Sequence, residues 1–289
     1  MTKIILHLGA HRTASTHVQG VLGKNVALLA GAGIVAPCQD DVKTALTKPL
    51  GTRIPSIHTG FAALLKGATP ETVVISDENL LGYLNSIFAH GKFYPDTARR
   101  LAKLRHMLPI DPAKIVVAIR PYDSFFASAY GRWLAPGRMV LPHEAVAELA
   151  LGLTRGWGDM LEDIASVFPE STLVISEYSP DPSFGPAQLS TILGPLADEL
   201  FYNPDYRWNR SMSARQTMLY EQAVAEGDAE KADDIRTWKR FKQPELLDGF
   251  WDDSPRKALQ ARYAFDRAAI IERFPAFVTA ENFAEQDAG

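Results

Sequence analysis

Apolar residues follow two rhythms along this chain. Short runs at 4–8, 34–35, 73–76, 115–119 and 173–176 are bounded by turn-forming residues and predict strands. Between them, Val18, Val21, Leu22, Val26 and Leu29 mark one helical face, and Phe61, Leu64 and Leu65 mark another. Further helices are expected over 96–107 and after Pro121, Pro142 and Trp157. Strand and helix in alternation imply an α/β fold, a parallel sheet of about five strands flanked by helices. After Glu177 the segment YSPDPSFGP is rich in turn residues, and no strand is expected beyond Ser176. The remainder reads as helices with polar stretches such as GDAEKADD. We therefore take 1–178 as an α/β core and 179–289 as a helical extension packed on it within one overall domain.

Composition narrows the function classes. At 46% hydrophobic and 22% charged, the chain of 289 residues matches an ordinary globular protein, which excludes a disordered or collagen-like one. Thirty Lys+Arg against 34 Asp+Glu leave a net charge of −4, so no global field draws it to nucleic acid or to an anionic membrane. An anion ligand must be held by a local site. The single cysteine, Cys38, cannot form an internal disulfide or a Cys-rich zinc site, and a reduced cytoplasmic setting is the expectation. The apolar run after Lys3 is broken by His7 and is too short for a signal-peptide core. No membrane span is expected. His7 and His11 are four apart, a spacing that aligns ligands on a helix but not in a strand running into a loop, so no metal site is expected there.

The first strand runs into GAHRTAST and then into an amphipathic helix. In such a turn, backbone N–H groups and a helix N-terminus converge on one concavity suited to phosphate or sulfate. Against the Walker pattern G-x-x-x-x-G-K-[ST], Gly9 and Thr16 match, Ala14 stands for the second Gly, and Ser15 stands for the Lys. The cation is moved to Arg12, which weakens a magnesium-dependent kinase reading. A tight helix cap with no ligand is the plain alternative.

LHLGAHRTASTHVQ resembles the 5′-phosphosulfate loop of sulfotransferases that use 3′-phosphoadenosine 5′-phosphosulfate (PAPS), which have a P-loop-type fold. The resemblance rests on Arg12, Ser15 and Thr16, with Ala14 where Gly is usual and Arg12 where Lys is commoner. A second match is KIVVAIRPYDSFFASAY, in which Arg120 ends the fourth strand and Ser128 follows eight residues on. The resemblance implies that Arg12, Thr13, Ala14, Ser15 and Thr16 wrap the 5′-phosphosulfate, that Arg120 and Ser128 hold the 3′-phosphate, and that Arg210 belongs to a late loop near the nucleotide. Arg207 and Asn209 are candidates on the same loop. A guanidinium with a hydroxyl suits a phosphate dianion chemically. Arg12 would stabilise charge on the bridging oxygen as the bond to sulfur breaks.

Transfer also needs a base for the acceptor proton. VVISDENLLG ends the third strand, where open α/β sheets bind ligands, and the resemblance makes Glu78 the candidate. Asp77 is the rival, since alternation puts the two on opposite faces, and a carboxylate that merely caps the next helix is the third possibility. His11 and His17 either face donor or acceptor or are partly exposed loop residues. Ser213 and Gln216 are spaced as a capping box. WKRFKQ, at 238–243, reads as a solvated helix face or a small basic ligand site. The implied activity is sulfuryl transfer from PAPS, without a metal, to a small-molecule, lipid or carbohydrate acceptor. A P-loop nucleotide kinase and a non-catalytic nucleotide-binding protein are the alternatives.

Overall fold

Buried runs and amphipathic helices fold into a parallel sheet with helices on both faces. The computed structural model describes residues 2–51, 59–134, 141, 143–203, 212–237, 249–274 and 277–278. The elements in chain order are β1 (Lys3–Gly9), α1 (Ser15–Lys24), α2 (Val26–Gly31), β2 (Ile34–Val35), α3 (Gln39–Val42), α4 (Thr59–Leu65), β3 (Thr72–Ser76), α5 (Asn85–His90), α6 (Thr97–Met107), β4 (Lys114–Ile119), α7 (Tyr122–Trp133), α8 (His143–Gly152), α9 (Trp157–Val167), β5 (Thr172–Glu177), α10 (Phe184–Leu193), α11 (Ala214–Ala225), α12 (Ala229–Thr237), α13 (Asp253–Arg273) and β6 (Phe277–Val278). The sheet order is β2-β3-β1-β4-β5-β6, and every pairing is parallel.

Alternation within the strands decides which residues meet which helices. Ile4, Leu6, Leu8, Val73, Ile75, Ile115, Val117 and Ile119 join one core with residues of α6, α7, α9 and α13. Val74 and Val116 face the other way and pack with Val18, Val21 and Leu22 of α1, Leu29 of α2, and Leu189 and Ile192 of α10. Side chains of this size contribute about 1.5–3 kcal/mol each when fully buried, so a polar substitution on either face opposes folding directly. α9 shows the helical logic: Trp157, Met160, Leu161 and Ile164 form its buried stripe, and the Asp159 carboxylate accepts the Gly156 N–H at 2.8 Å to close its first turn.

Two expectations need correction. The face from Val18 to Leu29 belongs to two helices, because Asn25 interrupts it. Its Nδ2 donates to the Val21 and Phe201 carbonyls and its Oδ1 accepts the Phe201 N–H, so its amide serves a tertiary contact. A strand does follow Ser176: β6 pairs with β5, at Ile175 with Phe277 and Ser176 with Val278. Two residues are too short to leave a periodic signature in the sequence. The helical extension contributes to the main core through Leu259, Tyr263 and Ile270 of α13. Among the described residues, no helix is long and apolar enough to cross a membrane.

Candidate functional site

Four neighbouring strands, β3, β1, β4 and β5, end side by side, and their carboxyl ends carry Asp77 and Glu78, the loop after Gly9, Arg120, and Tyr178. The chain leaves β1 toward β2 on one side, while β4 leads to β5 on the other. The gap between β1 and β4 is therefore a topological switch point, where open α/β sheets form a ligand crevice.

The loop is shaped by backbone strain. Gly9, Arg12 and Ala14 all have positive φ, at 58°, 67° and 64°. A Cβ on Gly9 would lie 2.9 Å from the Ser15 Cβ, so that position requires glycine. Register slips between His7 and Gly9 against β4, which re-aims the chain as it leaves the sheet. Thr13 is fully buried, and its hydroxyl donates to the Ala10 carbonyl and accepts the Ala10 N–H, closing the loop on itself. The side chain expected to help wrap an anion is thus occupied by the loop, leaving its backbone for that task. Ala14 is the N-cap of α1 and supplies no side-chain acceptor, so the positive end of this helix is uncapped by its own N-cap residue.

Arg12 and Ser128, expected to hold the 5′-phosphosulfate and the 3′-phosphate of one nucleotide, meet directly: Arg12 Nε donates to Ser128 Oγ at 2.8 Å. Arg120 Nη1 donates to the Arg12 carbonyl at 2.7 Å, and its Nε donates to Ser124 Oγ at 2.9 Å. Its guanidinium lies 4.4 Å from the Tyr178 ring centroid. Arg120 is buried, and burial lowers its pKa, against the opposing influence of Tyr178 and Asp123. Among the described residues it makes no ion pair. A buried cation of this kind is costly until an anion compensates it.

At the end of β3 the two carboxylates separate in role. Asp77 is fully buried: its Oδ2 accepts Thr47 Oγ1 at 2.6 Å, and its Oδ1 accepts the Asn79 N–H and the Asn79 side-chain amide. It caps the short 3₁₀ turn Glu78–Leu80, the role the sequence left open for either acid. Glu78 instead faces the loop, with its Cβ close to where a Gly9 side chain would start, and it accepts Gln19 Nε2 at 2.9 Å. Burial pushes its carboxyl up, but His11, its own backbone N–H, Gln19 and Ser15 together outweigh this and hold it below the usual carboxylate range.

His11 corrects the expectation of a partly exposed residue, because it is only 8% exposed. Nδ1 and the backbone N–H both bond Tyr94 Oη, and Nε2 lies 3.3 Å from Asn79 Oδ1. Burial lowers its pKa despite the nearby Glu78. His17 is half-buried on α1, edge-on to Tyr202. Beneath the loop, His7 is fully buried in a polar chain. Ser76 Oγ donates to His7 Nδ1, and His7 Nε2–H donates to Gln188 Oε1. Gln188 Nε2 in turn donates to Ser176 Oγ. This order of donors fits a neutral imidazole, and burial lowers its pKa to about 4.

The sequence missed Gln19, Asn79, Tyr94, Ser124 and Tyr178. Gln19 sits one turn after Ser15 on α1 and Tyr178 directly follows β5, signals that were present but not specific. Arg100 was also missed: it donates to the carbonyls of Asn79 and Leu80 and so fastens the 3₁₀ turn that carries Glu78. Ser213 caps α11 by accepting the Gln216 N–H, while Gln216 donates its amide to the Ile235 carbonyl, so only half of the expected box forms. Arg207, Asn209, Arg210 and the WKRFKQ segment lie outside the described residues. Among the described residues, no group of three His, Cys, Asp or Glu side chains is gathered to hold a metal ion.

No family model, curated protein or solved structure matches the chain.

Proposed function

We propose that this chain is a sulfotransferase that moves a sulfuryl group from PAPS to a hydroxyl or amine of a small-molecule, lipid or carbohydrate acceptor, leaving adenosine 3′,5′-bisphosphate. The observation that carries this reading is Arg120 at the switch point between β1 and β4, buried, bonded to the backbone carbonyl of Arg12 and in no ion pair among the described residues, with the Arg12 side chain on Ser128 of the neighbouring α7. Two cations in one crevice call for a ligand with more than one anionic group. Ser15, in place of the Walker Lys, supports sulfuryl rather than phosphoryl transfer.

Each residue then has a task. Backbone N–H groups of Arg12, Thr13, Ala14, Ser15 and Thr16, at the start of α1 where Ala14 offers no capping side chain, would hold the 5′-phosphosulfate. Arg120 and Ser128 would bind the 3′-phosphate. Arg12 would counter the charge that grows on the bridging oxygen as its bond to sulfur breaks and the acceptor oxygen or nitrogen bonds to sulfur. Glu78, ionised at neutral pH, takes the acceptor proton. Gln19 and Ser15 aim its carboxylate at the loop.

The test is incubation with PAPS and a panel of phenols, sugars and lipid head groups, with chromatography for adenosine 3′,5′-bisphosphate and sulfated product, with and without EDTA. Product formed in EDTA supports the proposal. Transfer only from ATP with magnesium would replace it with the kinase reading, and tight nucleotide binding with no turnover of any acceptor would replace it with a binding protein.

A further inference from the structure

α13 reaches the neighbourhood of Arg120 by three separate polar routes. In the first, Tyr122 Oη donates to Asp266, and the same oxygen accepts the Trp157 N–H at 2.8 Å. Trp157 Nε1 then donates to the Arg120 carbonyl at 2.9 Å, with its ring parallel to that of Tyr122. A methyl group at Gly156 would meet both Asp266 Oδ2 and Tyr122 Oη and force one or both side chains to shift, so glycine leaves room for this approach.

In the second route, Gln260 Nε2 donates to Asp123 Oδ2 at 2.9 Å, and Asp123 Oδ1 accepts the Ser124 N–H at 2.7 Å. Ser124 Oγ in turn receives Arg120 Nε. In the third, Tyr263 Oη and Arg267 Nε both donate to Glu177, at 2.8 Å and 3.0 Å, and the next residue is Tyr178, whose ring faces the Arg120 guanidinium. One helix thus fixes the backbone carbonyl of Arg120, the hydroxyl that receives its Nε, and the strand end that supplies its aromatic partner.

We infer that α13 is a clamp that sets the pose of Arg120, and that Asp266, Tyr122, Gln260 and Glu177 are positioning residues for the anion this guanidinium binds. The inference rests on the proposed role of Arg120 toward a 3′-phosphate. Its physical content is preorganisation: a guanidinium held on three sides loses little freedom when it meets its ligand.

The experiment uses the full chain and two probes, adenosine 3′,5′-bisphosphate and adenosine 5′-phosphate, titrated calorimetrically against wild type, Asp266→Ala, Asp266→Asn and Gln260→Ala. Asp266→Ala should weaken binding of the bisphosphate roughly three- to thirtyfold while leaving the monophosphate unchanged. Asp266→Asn, which keeps an acceptor for Tyr122, should recover most of the loss, and Gln260→Ala should show a smaller selective loss. Equal losses for both nucleotides, or none, would overturn the clamp. A second arm needs no ligand: the Arg120 Nε–H resonance, assigned by its disappearance in Arg120→Lys, should exchange with solvent faster in Asp266→Ala than in wild type. Unchanged exchange would also count against the clamp. If wild type does not distinguish the two nucleotides, the 3′-phosphate reading falls, and the exchange measurement still decides whether α13 holds Arg120.

Discussion

Arg12 Nε and Ser128 Oγ stand 2.8 Å apart across 116 residues of sequence. The loop after β1 and the middle of α7 are therefore one site, and neither residue should act independently of the other. A double-mutant cycle with Arg12→Ala and Ser128→Ala, read as PAPS affinity, is expected to give a coupling of about 1 kcal/mol. Additive effects would mean that the bond contributes nothing once ligand is bound.

Arg120 should decide which nucleotide binds. Hydrogen bonds to charged groups are worth about 1.5–3 kcal/mol each, so wild type should prefer PAPS over adenosine 5′-phosphosulfate by at least tenfold. Arg120→Ala should remove that preference by weakening PAPS alone. Calorimetric titration of both ligands against both proteins measures it directly.

The adjacent acids should fail differently. Glu78→Gln is expected to lower kcat by roughly 10²–10⁴ with nucleotide affinity nearly intact. Asp77→Asn loses an acceptor of the turn cap and should cost about 1–2 kcal/mol in urea unfolding instead. Because Glu78 is held below its ordinary value of 4.5 in the ligand-free chain, its carboxylate persists as pH falls, and the acid limb of the kcat/KM profile should have its midpoint below that value.

His7 should make stability depend on pH on the acid side. The folded chain holds it neutral down to about pH 4, whereas the unfolded chain takes up a proton near 6.5. Stability is full above 6.5 and declines as pH falls toward 4, by about 3 kcal/mol from this residue. Buried His11 adds in the same direction. Urea unfolding between pH 7.5 and 4.5 should show a flatter slope for His7→Gln than for wild type. An identical slope would assign the dependence elsewhere.

Ala14 occupies a left-handed conformation that L-residues adopt at a cost of about 1–2 kcal/mol. Ala14→Gly should therefore raise stability by roughly 1 kcal/mol, partly offset by the greater freedom of glycine in the unfolded chain. Thermal unfolding checks the direction.

The strands were legible because a parallel sheet covered on both faces leaves dense apolar runs; β2 was read to the residue, and β1 extends one residue beyond each end of the expected run. The placement of the loop after β1 and of Arg120 at the end of β4 was legible because their residue types and spacing are local. The division between Asp77 and Glu78 was not, since it depends on Thr47 and Gln19, which arrive from distant segments. Asn25 broke a helical face for the same reason: its partner is Phe201. Tyr94 and Arg100 likewise serve the site through backbone atoms of residues that sequence cannot place beside them.

The pairing of β6 with β5 fixes an order of events during synthesis. Chains emerge N-terminus first, and β5 is complete while Phe277 and Val278 have yet to be made. Over that interval the outer edge of β5 is an open row of N–H and C=O groups, a template for any passing strand. Pairing with 277–278 covers that edge only at Ile175 and Ser176, and only after the interior of the sheet is already built, so the nascent protein is exposed to mispairing there until β6 emerges.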